Sequence, residues 1–352
     1  MIAPLADDIC VESNPARRGE HIALAHGGGG QLTEDLIRSS VIPRLGNNML
    51  NELLDGGVVR DGNRRIVFSI NGYVVQPLQF PGGDIGRLAV CGTVNDLAVM
   101  GATPIAIALA MILEEGLDRR VLDEILDSIA AAAREADVRV ATGDIKVVGR
   151  GQADGLYITT AGIGTTARRP RVHPDFIAPG DVLIMNGPIA EHGLAIMLAR
   201  EMPDRRSEIR SDVAPLNRMI HTVLKKAPGV TFMRDPTRGG VAGLCADIAA
   251  RTGYHIRLNE AHIPIRPETL HAAVTLGLDP LQLPNAGRVV LFVRGRNAPQ
   301  ALAAIRSDPA GVGACVIGQV EDARDGVCEL FTTAGGRRII QKPDGEQMPR
   351  IC

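Results

Sequence analysis

The 352-residue chain carries 38 Lys plus Arg against 40 Asp plus Glu, and the formal charge of −2 leaves no basic surplus for a nucleic-acid backbone. Apolar residues at 45% and charged residues at 22% exclude wholesale disorder and allow a core large enough for two domains. Six cysteines without CxxC spacing indicate neither a zinc site nor a disulfide framework, and the opening MIAPLADDIC lacks the pattern of a signal peptide, so the expected location is the cytoplasm.

Ile22–Ala25 reads as a short strand, closed by His26 and the glycines Gly27, Gly28, Gly29 and Gly30, after which Thr33, Glu34 and Asp35 look like a capped helix start. Ile66–Ile70 reads as a buried strand and Ile85–Met100 as a helix after the Pro81-Gly82-Gly83 turn. The uncharged run Leu97–Leu113 contains Gly101 and Pro104 and is too short to span a bilayer; it reads as a helix end, a turn and the strand Ile105–Ile112. Apolar residues from Val121 to Ala133 keep a 3.6-residue period behind Asp118, which predicts a capped helix to Ala136. Strands at Val138–Ala141 and Leu156–Ile163 complete a mixed α/β first half.

The proline-rich, basic stretch Thr165–Asp181 reads as a domain boundary. Beyond it the pattern predicts strands at Val182–Met185, Ile256–Leu258, Val289–Val293 and Cys315–Val320, and helices at Leu194–Arg200, Pro215–Lys226 and Gly239–Arg251. Residues 342–352 have two prolines and no periodicity, so they are expected to form a flexible tail.

Several segments could carry chemistry. The His26–Gly30 loop could cradle a phosphate with bare N–H groups, or be a connector. Asp84, Asp96 and Asp144 lie in glycine turns or at element ends, as carboxylates sharing a magnesium ion with phosphate oxygens do, with Lys146 beside them; each could equally be a cap or a solvated turn residue. Arg234-Asp235-Pro236-Thr237-Arg238-Gly239-Gly240 leads into a helix and could hold an anion, or simply cap it. A cysteine in the final position, Cys352, is a rare coincidence for a residue type with six copies, and a thiol on a mobile arm can take up a group at one site and deliver it at another. Prenylation does not explain it, because that motif needs a cysteine four residues from the end.

Taken together, HGGGGQ (26–31), FPGGDIGRLAVCGTVNDLAVMGATP (80–104), GDIKVVGRG (143–151), RDPTRGGV (234–241) and the final PRIC resemble the hydrogenase-maturation HypE family, relatives of aminoimidazole-ribonucleotide synthetase. The resemblance covers nearly the whole chain from Ile22. It implies a two-domain α/β (α+β) fold: an extension at 1–20, an ATP-binding and dimerisation domain at 21–165, an α/β domain at 180–341 and the tail at 342–352. It further implies a homodimer that uses ATP and Mg²⁺. A HypF-like carbamoyltransferase places a carbamoyl group on Cys352, ATP drives its dehydration to a thiocyanate, and the cyanide passes to iron on a HypC–HypD complex. Neither nucleic acid nor membrane is an expected partner. By the same resemblance Cys352, Lys146 and His26 are catalytic, Gly27–Gly30, Asn95, Lys146, Arg234 and Asp235 hold ATP, and Asp84, Asp96, Asp144 and Asn71 hold the metal.

Three positions depart from the family pattern: Asn71 stands where an aspartate is usual, Ile145 where a threonine is usual, and Ala286 where a glutamate is usual. They raise the alternative of a weakened or inactive carrier that keeps its partners. A thiamine-monophosphate kinase or selenophosphate synthetase is a third reading, and PRIC argues against both.

Overall fold

The structure is a computed structural model that describes residues 21–62, 64–166, 172–204, 207–345 and 350–352. Cys10 and Pro349 lie outside the described residues, as does the basic cluster 168–171 of the expected boundary.

After two short helices, α1 (Gln31–Leu36) and α2 (Ile42–Leu45), the first half runs β1 (Gly57–Asp61), β2 (Arg64–Tyr73), the small ladder β3 (Gln79–Phe80) with β4 (Gly83–Asp84), α3 (Ile85–Val99), β5 (Thr103–Glu114), α4 (Arg119–Ala136), β6 (Arg139–Val148) and β7 (Leu156–Thr166). Five strands form one sheet in the order β1-β2-β7-β5-β6, antiparallel except for β5 and β6. The α4 helix starts where its cap was read: the Asp118 carboxylate accepts the Arg120 N–H at 2.9 Å, and the apolar stripe Ile125, Ile129, Ala132, Ala133 packs inward. The α3 helix is apolar nearly all round, because one side meets this sheet and another meets the second half.

The second half runs β8 (Asp181–Met185), α5 (Glu191–Glu201), α6 (Asn217–Lys226), β9 (Val230–Arg234), α7 (Gly240–Thr252), β10 (His255–Asn259), α8 (Pro267–Thr275), β11 (Val290–Arg294), α9 (Ala298–Arg306), β12 (Cys315–Glu321), β13 (Cys328–Phe331) and β14 (Arg337–Ile340). Its sheet is β14-β13-β10-β12-β8-β11-β9. One face packs Ile184, Leu291 and Met233 with residues of α6 and α9; the other packs Leu183, Met185 and Phe292 with residues of α5 and α7. Strands covered on both faces read as continuous apolar runs, which is why Val182–Met185 and Val289–Val293 were legible.

Three local expectations change. Ile22–Ala25 is not a strand: Leu24–Gly27 is a 3₁₀ turn with Leu24 exposed, since four apolar residues with no neighbouring strand to pair with have no ladder to join. Gly143–Lys146 is not a turn after a strand but the middle of β6, paired in register with β5. The end of the chain, expected to be flexible, is held in place. Val74 N–H donates to the Cys352 main-chain oxygen (3.1 Å), Gln76 N–H donates to Arg350 O (3.2 Å), and the Ile351 side chain is only 2% exposed. An apolar residue flanked by two ladder bonds has a place to dock that polarity and proline content do not reveal.

Candidate active site

A cavity of about 1160 Å³ opens between the two halves. The first half contributes Asp55, Asn71, Tyr73 and Asp96; the second contributes His192, Arg234, Asp235 and Ala286; Cys352 enters from the docked tail.

Three carboxylates set its electrostatics. Asp96 comes from α3, where its Oδ2 accepts bonds from Ser69 Oγ (2.8 Å) and Asn71 Nδ2 (2.7 Å). Burial pushes its carboxyl well above the ordinary range, and the like charges of Asp235 and Asp55 push it further, against those two hydrogen bonds. Asp235 is raised to about 7, first by burial and then by Asp55, with Arg234 opposing. Arg234 partly neutralises the group, its Nε lying 3.2 Å from Asp55 Oδ1. Tyr73 is buried beneath them and its hydroxyl is raised, chiefly by burial and secondly by Asp96. The Tyr73 hydroxyl explains Gly92 in the long motif: a Cβ there would stand 2.3 Å from it.

The motif Arg234–Gly240 turns sharply into α7. Gly239 and Gly240 have φ of +76° and +60°, and a Cβ on Gly240 would lie 2.4 Å from Leu281 O, so the double glycine brings Arg234, Asp235 and Arg238 to the cavity wall.

Other sequence candidates have different surroundings. Asp84 is the N-cap of α3, its Oδ1 accepting the Arg87 N–H at 2.8 Å. Asn95 is buried and joins the two halves, donating to Ala214 O and Ala286 O and accepting the Leu216 N–H. His26 accepts the Ala23 N–H on its own turn and does not line the cavity. Of the four glycines only Gly29 reaches the cavity wall; Gly30 is held against the 343–344 segment, where a Cβ would meet Pro343 O at 2.3 Å, and the Gln31 and Leu32 N–H groups already donate to Pro343 O and Asp344 O. Asp144 and Lys146 pair with each other at 2.7 Å on exposed β6, and Ile145 beside them is also exposed. Hence Cys352, Arg234, Asp235, Asp96 and Asn71 converge, whereas Lys146, Asp144, Asp84, Asn95 and His26 lie elsewhere in a single copy.

Sequence reading missed Asp55, His192 and Tyr73. Asp55 carried a signal, an acid beside the glycines Gly56-Gly57, in the reverse order of Gly143-Asp144 and Gly82-Gly83-Asp84. His192 and Tyr73 carried none, since neither belongs to a glycine-turn or acid motif.

Residues 54–166 match the family described as AIR synthase related protein, N-terminal domain, and residues 178–330 match its C-terminal domain. The chain is 44% identical over 340 residues to carbamoyl dehydratase HypE of Rhodobacter capsulatus, covering 96% of this chain and 100% of that relative. It is 41% identical to carbamoyl dehydratase HypE of Escherichia coli K12, covering 94% of this chain and 99% of that one. The chain belongs to the HypE family. Among solved structures, HypE in a HypE–HypF complex superposes with a TM-score of 0.83 at 37% identity, over 88% of this chain and 99% of that one. HypE in complex with ATP superposes with a TM-score of 0.79 at 37% identity, over 94% of this chain and 99% of that one. HypE membership fits the convergence of a cysteine with buried carboxylates. It disfavours the kinase and synthetase readings: a thiamine monophosphate kinase at 14% identity and TM-score 0.64 shares the fold alone. No helix among the described residues is long and apolar enough to cross a membrane.

Proposed function

We propose that this chain is the ATP-dependent carbamoyl dehydratase of a hydrogenase-maturation system, working in the cytoplasm, with Cys352 as the carrier of the group being dehydrated. One observation carries the reading: Cys352 borders the same cavity as Asp96, Asp235 and Arg234. An amide oxygen leaves poorly as water, and ATP supplies the phosphoryl group that turns it into a leaving group. The chain's own residues do the rest. Cys352 holds the carbamoyl group by its thioester-like sulfur bond, and the docked tail fixes that group against the cavity wall. Arg234 and Arg238 bring positive charge to where phosphate charge accumulates. HypF as carbamoyl donor is supported by the relative solved with HypF; a HypC–HypD acceptor of the cyanide rests on family resemblance.

Among the described residues no three His, Cys, Asp or Glu side chains stand close enough to hold a metal ion by themselves, so Mg²⁺ would need phosphate oxygens of ATP to complete what Asp55, Asp96 and Asp235 offer. Asp55, Asp96 and Asp235 are hard oxygen donors; burial first and the neighbouring carboxylates second raise Asp96 and Asp235, and a divalent cation would remove the repulsive part. Asn71 turns an N–H toward Asp96 and serves that carboxylate by hydrogen bonding in place of metal charge. When bound, the cation would neutralise phosphate charge.

The bare face of the first sheet supports a homodimer. Phe68 and Ile70 are 44% and 62% exposed, with Ile163 and Ile112 beside them on a surface that the described helices leave uncovered. By register, Ile70 shares this face with Thr142, Gly72 with Asp144, and Ile112 with Lys146. Ile70 and Gly72 also border the cavity. A second copy laid on this face brings its Asp144 and Lys146 toward that border, which gives both residues a role that a single copy denies them.

The test is mass spectrometry of the terminal peptide after incubation with a HypF-type carbamoyltransferase, carbamoyl phosphate and ATP. The expected product is a carbamoyl adduct on Cys352 that becomes the lighter cyanated form, and Cys352→Ala abolishes both while leaving the fold intact. An adduct mapping to Cys91 or Cys245 sinks the reading; burial pushes Cys91 up to about 12, and Cys245 is raised by its contact with Cys328 and then by burial. Asn71 and Ala286 favour a second reading, a carrier with weak ATP chemistry, in which the adduct forms and persists uncyanated.

A further inference from the structure

The motif Phe80-Pro81-Gly82-Gly83 is absorbed neither by the cavity chemistry nor by the metal, and its surroundings lead to the tail. Pro81 O accepts the Ser211 N–H at 2.7 Å. Gly82 has φ +98°, and a Cβ there would stand 2.7 Å from the Ser211 main chain. This turn is therefore built to let Ser211 approach. Ser211 Oγ accepts the Val213 N–H at 3.1 Å and lies 2.8 Å from His192 Nδ1. The Ile351 carbonyl can only accept, so a neutral imidazole between the two groups carries its proton on Nε2 and accepts the Ser211 hydroxyl proton at Nδ1. Nε2 is 3.2 Å from Ile351 O. The Phe80 ring meets the imidazole edge-on at 5.8 Å and completes the setting of its plane.

The end of the chain lies beside residues 74–76 with Arg350 in the left-handed region (φ +57°), and its main-chain oxygens point in different directions. Those of Arg350 and Cys352 face Val74 and Gln76; that of Ile351 faces the opposite way, into protein. Arg200 secures Arg350 O from the side at 2.7 Å, and the Arg350 guanidinium binds Asp154 and Val74 O. His192 meets the one remaining oxygen, on the peptide that carries Cys352.

We propose that His192 is a positioning residue that holds Cys352 in the cavity, through a relay in which the Phe80–Gly82 turn places Ser211, Ser211 donates to the imidazole Nδ1, and Nε2–H grips the Ile351 carbonyl. Burial lowers the affinity of His192 for a second proton, although Asp212 opposes this, and Arg288 lies 3.3 Å from Asp212 to balance it. The neutral ring can then accept from Ser211 and donate to Ile351 at once. Without the imidazole N–H, a buried carbonyl is left without a donor whenever the tail docks, which favours the undocked arm. The proposal rests on the carrier role of Cys352 and names the residue that decides how long the carrier stays in place.

The experiment is the rate of iodoacetamide alkylation of Cys352 in the full chain, followed by mass spectrometry of the terminal peptide, with half-buried Cys315 as internal standard. His192→Phe keeps a ring against Phe80 and removes the donor; it should raise the Cys352 rate roughly tenfold with Cys315 unchanged. His192→Gln returns an N–H and should restore most of the slow rate. Equal rates in His192→Phe and the unmodified protein, or no difference between Phe and Gln, overturn the proposal. Should His192→Phe also expose buried Cys245, Ser211→Ala decides: a faster Cys352 alone supports the relay and an unchanged rate refutes it. Alkylation needs neither ATP nor a carbamoyl donor, so the expected labelling pattern with no cyanated product would strike the proposed function and leave the positioning role standing.

Discussion

The two sheets of this protein finish their cores differently. In the second, Phe292, Leu291 and Met185 are buried because helices cover both faces. In the first, helices cover one face; β2 alternates, with Val67 and Ser69 inward and Phe68 and Ile70 outward, and β6 is exposed almost from end to end. One domain buries its apolar residues within the chain, whereas the other holds a surface in reserve. The contrast separates the candidates of the first half: Asp96 and Asn71, on the covered side, join Arg234 and Asp235 at the cavity, whereas Asp144 and Lys146, on the bare side, pair with each other in the open.

The largest effects test that contrast directly. Phe292→Ala should destabilise the second domain by about 3–5 kcal/mol at any protein concentration, read by denaturant titration. Phe68→Asp should leave the unfolding of the isolated chain nearly unchanged and weaken self-association on the order of a hundredfold, because it places a charge at the centre of an apolar contact. Sedimentation at micromolar concentration reads the second outcome. A dimer unaffected by Phe68→Asp, or a 37 kDa species alone in the unmodified protein, would remove the reserved face from the account.

A sharper question is whether the reserved face completes the cavity. Lys146→Ala and Cys352→Ala should each be inactive as pure proteins. Mixed after subunit exchange, they should regain about a quarter of the unmodified turnover, since half the dimers are mixed and each mixed dimer has one site with both residues intact. No recovery would place Lys146 and Cys352 in the same copy's site, contrary to the geometry of β6.

How much of this was legible in the sequence followed the same division. The α4 helix, β8 and β11 were readable because their burial is complete within the chain and the apolar pattern reports it. The long β6 was read only as Val138–Ala141, since Asp144 and Lys146 break any apolar pattern in a strand exposed almost from end to end. The short strands β13 and β14, the latter at the sheet edge, and the helices α8 and α9 were missed for a related reason, each having few fully buried residues to mark its period. At the site, Cys352, Asp96 and Asp235 were found from motif and position. The docking of Ile351 and the part played by His192 depend on contacts between residues 159 apart in the chain, which no local pattern encodes.

Smaller in effect are the departures at Asn71 and Ala286, both bordering the cavity, in contrast to Ile145 on β6. Asn71→Asp replaces the N–H donor to Asp96 with a further carboxylate, and Ala286→Glu adds an acid across the cavity. Together they should raise ATP turnover severalfold when magnesium is present and lower thermal stability when it is absent, because the added charge then has no counter-ion. A gain in turnover without the magnesium-dependent stability change would mean that the two acids act on the substrate and not on a cation.

The smallest effect concerns the carboxylate cluster itself. Asp96 and Asp235 have folded-state pKa values raised above the unfolded value near 4, so the folded protein keeps protons that the unfolded chain releases. Their contribution to stability is therefore greatest below about pH 4 and declines as the pH rises; the part due to Asp235 is spent above its value of about 7. His192 acts in the opposite sense: its lowered pKa makes its contribution complete above about pH 6.5 and lost on acidification. Net stability against pH would mix the two, and the magnesium increment separates them, since the cation is drawn to ionised carboxylates and repelled by an imidazolium. Adding magnesium at about ten times its dissociation constant should raise the melting temperature by about 2–4 °C at pH 8 and by much less at pH 5. Asp235→Asn should flatten this difference, because the carboxyl that titrates at about 7 is gone. An increment of equal size at both pH values would show that the cation binds elsewhere, and the crowding of Asp55, Asp96 and Asp235 would then need another counter-charge.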